Sequence, residues 1–548
     1  MSEVLTYLGK TDVVTGLGFG TNYNYKCMLS ANNGLHPINI ELRQNLTRLE
    51  TMMVSVIENI VADVDLASSR TAFIFSTTKG NIANLTTQTP EPQSDIFLHK
   101  MASRVCNAVG YKGNPIVVSN ACISGVIAVV VAHRLLQDGH FDDIIVVGGD
   151  EITEFTTSGF MAFKSVSSKP CKPYDAQRDG LSLGEAAGAL LLTRHKHKST
   201  GIVITGGAAT NDANHISGPS RTGEPLAEAM KQAMAEAHLQ PTDISFVNAH
   251  GTATVYNDEM ESKAMALAGL SNCPINSLKP FIGHTLGASG VVEIAIAAEE
   301  LKQGWLIGTK GFETIGTPVK LNVSAANKEL AMHHCLKSAS GFGGCNAAVV
   351  LSKEEYAYCT SAQEKTNSVV SSIKRCTMRN GELLVDGKTV IKTNADFALF
   401  AREVYHQTEA NLKFFKMSNM AKMGYLAAEY MLSGTVNEPY SIAIVLSNRS
   451  ASLDADLLHW RIQKCDNKPA SPAAFVYTLA NIVMGEIAIR HQIKGETTFF
   501  IANSSDDKFA TNYAHLLLNS GKYAYVLTGW CELLENEYEL NFELLTNA

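Results

Sequence analysis

The stretch "NACISG" (Asn120–Gly125) follows the apolar run "PIVV" and precedes "VIAVVVAHRLL". The pattern predicts a buried strand that turns sharply into a buried helix. Cys122 stands in that turn. A side chain there meets the unpaired N–H groups of a helix start, whose partial positive charge favours a thiolate. Ala121, Ser124 and Gly125 are small enough for a tight turn and close backbone approach. These features suit a nucleophile, and taken alone they suit a buried structural cysteine equally well.

Working outward, short apolar strands alternate with amphipathic helical segments. "TAFIFSTT", "DIIVVGG", "AGALLLT" and "AAVVLS" read as strands, and "PLAEAMKQAMAEAHL" as a helix. The alternation predicts an α/β fold with helices covering sheets. At 548 residues the chain exceeds one typical domain. The composition turns polar at "KEEYAYCTSAQEKTNSVV". The expected division is therefore 1–353, a linker over 354–370, and a second α/β region over 371–548.

The second region echoes the first. "GNPIVVSNACISG" (Gly113–Gly125) sets over "GETTFFIANSSDD" (Gly495–Asp507), and "AHRLLQDGHFDDIIVVGG" over "AHLLLNSGKYAYVLTGW". Upstream, "TAFIFSTTKGNIANL" sets over "IAIVLSNRSASLDAD". The run reads as a degenerate internal duplication. In that register Ser504 stands opposite Cys122.

The bulk numbers bound the function classes. A net charge of −8 gives no electrostatic reason for nucleic-acid or membrane-surface binding. The eleven scattered cysteines lack zinc-finger spacing, and "MSEVLTYLGKTD" has no signal-peptide pattern. Reduced thiols and a cytoplasmic location are expected. The apolar runs are too short or too interrupted for a membrane span. "GLGFG", "RHKHK" and "MHHC" invite dinucleotide or metal readings, but each lacks the rest of its motif.

Two histidines complete the pattern around Cys122. "NAHGTATVYNDEMES" places His250 at a strand end before glycine and threonines. "NSLKPFIGHTLGASGVVEIAIAAEE" places Lys279 and then His284 in a glycine-bearing loop before an apolar helix. "SGFGGCNAAVVLS" adds a glycine-rich turn. A nucleophile-type cysteine with two loop histidines forms a candidate catalytic set.

At this point the chain resembles a β-ketoacyl-acyl carrier protein synthase of the Cys-His-His class, on the thiolase fold. "VVTGLG", "NACISG", "CKPYDAQRDGLSLGEAAGALLL", "NAHGTAT", "SLKPFIGHTLGASG" and "GFGGCNAAVVLS" occur in the family's order over about residues 10 to 353. The resemblance implies a layered αβαβα fold of two pseudo-repeated halves, followed by a partial thiolase-like domain. It implies an acyltransferase that takes an acyl chain on Cys122 and condenses it with malonyl carrier protein after decarboxylation. His250 and His284 match the histidines that stabilise the enolate. The backbone N–H groups of Cys122 and Phe342 would form the other oxyanion hole, with Phe342 as a gate over the acyl pocket. Thr252 and Thr254 match residues that hold the pantetheine arm. Lys279 matches an ordering lysine partnered by Glu293, with Asp258 and Glu261 in the same supporting network. No metal or organic cofactor is implied beyond the phosphopantetheine of the carrier protein.

Three departures matter. The stretch before Cys122 is several tens of residues shorter than the family's usual one. "NACISG" and "HGTAT" carry substitutions beside their matching residues. The tail resembles half a ketosynthase that has lost its nucleophile, as in the chain-length-factor partners of polyketide and polyene synthases. Its strand "TTFFIAN" is expected to pair with "PIVVSN" and give a pseudodimer within one chain; a homodimer is the alternative. Polyketide, aryl-polyene or specialised fatty-acid synthesis is the expected setting. The rival expectations are acyl transfer without condensation and a non-catalytic chain-length subunit.

Overall fold

The computed structural model describes residues 5–357, 369–434, 438–465 and 469–547. The expected linker over 354–370 lies mostly outside them. Fifteen of the twenty-one strands among the described residues fall into three sets of five. The first is β1 (Thr6–Thr15), β2 (Thr71–Ser76), β3 (Ile116–Val118), β4 (Asp143–Asp150) and β5 (Ala186–Thr193). The second is β6 (Ile202–Asn211), β7 (Phe246–Asn248), β8 (Pro274–Asn276), β9 (His334–Gly341) and β10 (Cys345–Lys353). The third is β11 (Val370–Arg379), β12 (Ile442–Asn448), β13 (Thr497–Ile501), β14 (Tyr525–Leu534) and β15 (Glu537–Asn547).

Each set is assembled in the same order. Its third strand lies parallel to the second, and the second parallel to the fourth. The fifth strand runs antiparallel beside the fourth, and the first antiparallel beside the fifth. In each set a long helix lies between the third strand and the fourth: α1 (Ser124–Asp138), α2 (Ser289–Gln303) and α3 (Phe509–Asn519).

Two seams join the sets. β1 pairs antiparallel with β6 over Thr6–Leu8. β3 pairs antiparallel with β13, Val118 opposite Phe500 and Val117 opposite Ile501. The sequence register that sets Cys122 over Ser504 also sets Val118 over Phe500. A local two-fold therefore passes through that pair, and the expected "PIVVSN"–"TTFFIAN" pairing is present.

Buried polar groups hold this second seam in register. The Asn120 side-chain amide donates to Thr497 O (2.6 Å) and accepts from Phe499 N–H (2.6 Å). Arg134 pairs with the fully buried Glu496 at 2.8 Å. Lys79, also buried, pairs with Asp456 at 2.6 Å and donates to Ser452 and Thr478. Pairs of this kind penalise a shifted docking, because a shift strands a buried charge.

The helices α1 and α2 are buried almost throughout and cross at their N-termini. A Cβ on Gly125 would lie 2.7 Å from Val291 N, and one on Gly290 only 2.3 Å from Val126 N. Glycine at both positions thus lets the two helix starts touch. That contact brings the residues just before each helix, Cys122 and His284, into one place.

Candidate active site

The Cys122 turn is an elbow. Ala121 takes φ 47°, and the matching Leu286 before α2 takes φ 51°. Positive φ in a residue with a Cβ costs about 1–2 kcal/mol, so the surrounding packing must enforce it. Ser124 secures the turn by accepting from Asn120 N–H (2.8 Å) and donating to Ala121 O (2.6 Å). In the third set Asn503 stands where Ala121 does and does not share the positive φ. The elbow there is relaxed, and Ser504 is exposed.

Cys122 is partly exposed. Burial pushes its thiol up to about 12; Lys279 pulls it back, while Asp150 and Glu293 push it further. Burial and the helix start act on this thiol in opposite directions.

His250 follows β7. Its N–H donates to Glu261 Oε1 (2.8 Å), and its carbonyl accepts from Lys279 Nζ (2.6 Å). His284 donates from its N–H to Ser182 O (2.7 Å), and its Nδ1 lies 3.0 Å from Ser289 Oγ. The rings stand edge to face, 5.2 Å apart at 88°. Burial holds both imidazoles well below the usual histidine range, aided by Lys279 and Lys337. Both are neutral at physiological pH. A neutral ring keeps one N–H donor, which suits a developing oxyanion. His250 Nδ1 is buried without a protein partner.

Beneath them lies an ionic layer. Glu293 on α2 is shared by Lys279 (2.8 Å) and Lys337 (2.5 Å), all three buried. Burial would raise the Glu293 carboxyl, yet the two lysines hold it below its ordinary value. Lys337, in mid-strand β9, also donates to Ala249 O at 3.3 Å. Glu261 accepts from Gly251 N–H (2.9 Å), Tyr174 OH (2.7 Å) and Ser338 Oγ (3.1 Å). Asp258 accepts from Tyr174 N–H (2.7 Å) and Ala253 N–H (3.2 Å); burial raises it to about 7. Asp258 and Glu261 thus build the His250–Thr254 loop. Thr252 and Thr254 hydroxyls sit 3.0 Å apart at its open end.

On the other side, the end of β9 presses on the elbow. A Cβ on Gly341 would lie 3.2 Å from Cys122 N. Phe342 follows, its ring 6.1 Å from Phe160 and 5.3 Å from Phe163. Phe475 from the third set packs on the same phenylalanines, at 5.5 and 6.4 Å. Asn481, again from the third set, donates to Phe342 O at 2.8 Å.

The structure therefore brings together all ten residues singled out from the sequence. Sequence reading missed Lys337, Tyr174, Asp150 and Asn481. Tyr174 and Lys337 carry no signal in the sequence, since their partners lie in other elements. Asp150 ends β4 and accepts from Thr77, Thr78 and Gly287 (2.7–2.9 Å), tying the second elbow to the first set. Asn481 carries no signal at all.

Two family models match this region: the β-ketoacyl synthase N-terminal domain over residues 48–198 and its C-terminal domain over 202–313. A Schizosaccharomyces pombe protein named as a mitochondrial 3-oxoacyl-[acyl-carrier-protein] synthase is 30% identical over 296 residues, half of this chain and 69% of that one. The chain belongs to the β-ketoacyl synthase family. The Vibrio cholerae 3-oxoacyl-[acyl-carrier-protein] synthase 2 is 32% identical over 44% of this chain and 63% of its own length. The chain thus spans about two thirds of such relatives. Among solved structures, the PfaC keto synthase–chain length factor aligns with all of this chain and 78% of its own (TM-score 0.78, 13% identity). The ketosynthase ApeO in complex with its chain length factor ApeC, from Xenorhabdus doucetiae, aligns with 64% of this chain and 98% of its own (TM-score 0.58, 23% identity). The thiolase-like fold of this ketosynthase-family chain follows from these likenesses, including a match to a ketosynthase–chain-length-factor pair across its whole length.

Proposed function

We propose that this chain is a β-ketoacyl synthase that carries a chain-length-factor-like half domain as its own partner. The observation that supports this most is the pair of buried, neutral imidazoles placed edge to face in the site of the Cys122 elbow.

Cys122 attacks the thioester of an acyl carrier protein. The Cys122 sulfur–acyl bond forms as the carrier thioester bond breaks, and the thiol proton ends on the departing pantetheine sulfur. The Cys122 and Phe342 N–H groups receive the oxyanion. Malonyl carrier protein then enters along Thr252 and Thr254. His250 and His284 donate N–H bonds to its thioester oxygen as CO2 leaves and the enolate forms. The enolate carbon attacks the Cys122 thioester and frees the thiolate. Lys279, Lys337 and Glu293 position His250 through its backbone. No metal or organic cofactor takes part; the phosphopantetheine arm arrives with the carrier protein.

Phe475 from the third set packs on Phe160 and Phe163, which flank Phe342. Residues 371–548 are thus read as the degenerate partner and 1–353 as the catalytic pair of units. The setting is polyketide, aryl-polyene or specialised fatty-acid synthesis. The longest apolar helical run, Ala121–Asp138, is mostly buried, so packing accounts for its hydropathy and a cytoplasmic enzyme is the reading.

Intact-protein mass spectrometry with acyl and malonyl carrier proteins tests this. The proposal expects an acyl adduct on the wild type, none on Cys122→Ala, and a carrier-bound β-ketoacyl product two carbons longer. An adduct without product would favour acyl transfer alone.

A further inference from the structure

A cavity of about 570 Å3 opens at the seam between β3 and β13, at the strand end away from Cys122. The local two-fold explains why it is there. At the Cys122 end, the Asn120 amide fills the seam by bonding Thr497 O and Phe499 N–H. The two-fold carries Asn120 onto Ala502, Thr497 onto Pro115 and Phe499 onto Val117. Ala502 has no amide to place there. Pro115, Val117 and Ala502 line the resulting space.

The walls are apolar, from Ile116, Phe141, Phe500 and Phe509. This apolar side suits an apolar guest. The volume lies within the about 300–1,000 Å3 of small-molecule sites. Lys112, Ser68 and Ser69 also line the cavity. Lys112 is exposed and has no ion-pair partner among the described residues. Asp507 lines it too, with Oδ1 accepting the Phe509 N–H at 2.8 Å.

We propose that this cavity binds an amphiphile, a medium-length acyl chain ending in a carboxylate. The chain lies against the phenylalanines and the carboxylate meets Lys112 and the serine hydroxyls. The site stands apart from Cys122 and does not depend on the reaction proposed there.

Calorimetric titration of decanoate into the full chain tests it, with Ala502→Trp to fill the cavity and Lys112→Glu to reverse its cation. The expected result is saturable binding to the wild type that weakens about tenfold or more in each variant. Lys112 is exposed, so its variant reads binding even where the tryptophan disturbs folding. No binding to the wild type overturns the proposal. So does decanoate binding that neither variant changes, since the ligand then sits elsewhere.

Discussion

Cys122 is placed by geometry and held back by solvation. A strained elbow aims it at the start of α1, yet burial raises its thiol to about 12. The thiolate fraction should then climb about tenfold per pH unit across pH 7–9. Iodoacetamide alkylation of Cys122, followed by mass spectrometry, should rise in the same way without a plateau. A plateau near pH 7 would mean that the helix start wins after all. Lys337 offers a second test. It shares Glu293 with Lys279, so Lys337→Met removes one of two cations from a buried carboxylate. We expect a loss of about 3 kcal/mol, read as a lower urea midpoint. Cys122 and both histidines were legible because each sits in a small-residue turn beside an apolar element. Lys337 was not, because its role depends on a carboxylate in another element, and no spacing rule links the two.

Helix α2 shows what an element can conceal. Its glycine contact with α1 and the Glu293 layer follow from "GASGVVEIAIAAEE". Glu300, two turns on, is buried. Its Oε1 accepts from Asn276 Nδ2 (2.7 Å) and Ile307 N–H (2.8 Å), while Oε2 has no partner. Burial raises this carboxyl to about 8. A raised acid stabilises the fold fully below its unfolded value, about 4.3, and loses that contribution as pH rises through 8. Glu300→Gln keeps the acceptor and cannot ionise. Its melting temperature should therefore gain on the wild type between pH 5 and pH 8, by thermal denaturation at each pH. An equal offset at both values would contradict the assignment. The strand–turn–helix units themselves were readable from period and glycine placement. The contacts of Lys79 with Asp456 and Arg134 with Glu496 were not, because they join residues that only the fold brings together.

At the scale of the molecule, one five-stranded plan occurs three times. In the third set Asn503 lacks the positive φ of Ala121, Ser504 is exposed, and β13 pairs with β3. A bare β3 edge would invite pairing with another chain. Here β13 covers it, backed by the Asn120 clasp and buried ion pairs. The register of that seam was legible in the alignment of Cys122 with Ser504. The five-strand completeness of the tail was not, since β11 and β15 bear no resemblance to their counterparts β1 and β5 that an alignment by eye detects.

The most direct measurement is the mass in solution, by sedimentation equilibrium, of the species that elongates acyl carrier protein. An active monomer of 59.1 kDa is expected, with the β3 edge already paired inside the chain. An active species of twice that mass, with β3 cross-linked to β3 of a second copy, would contradict it.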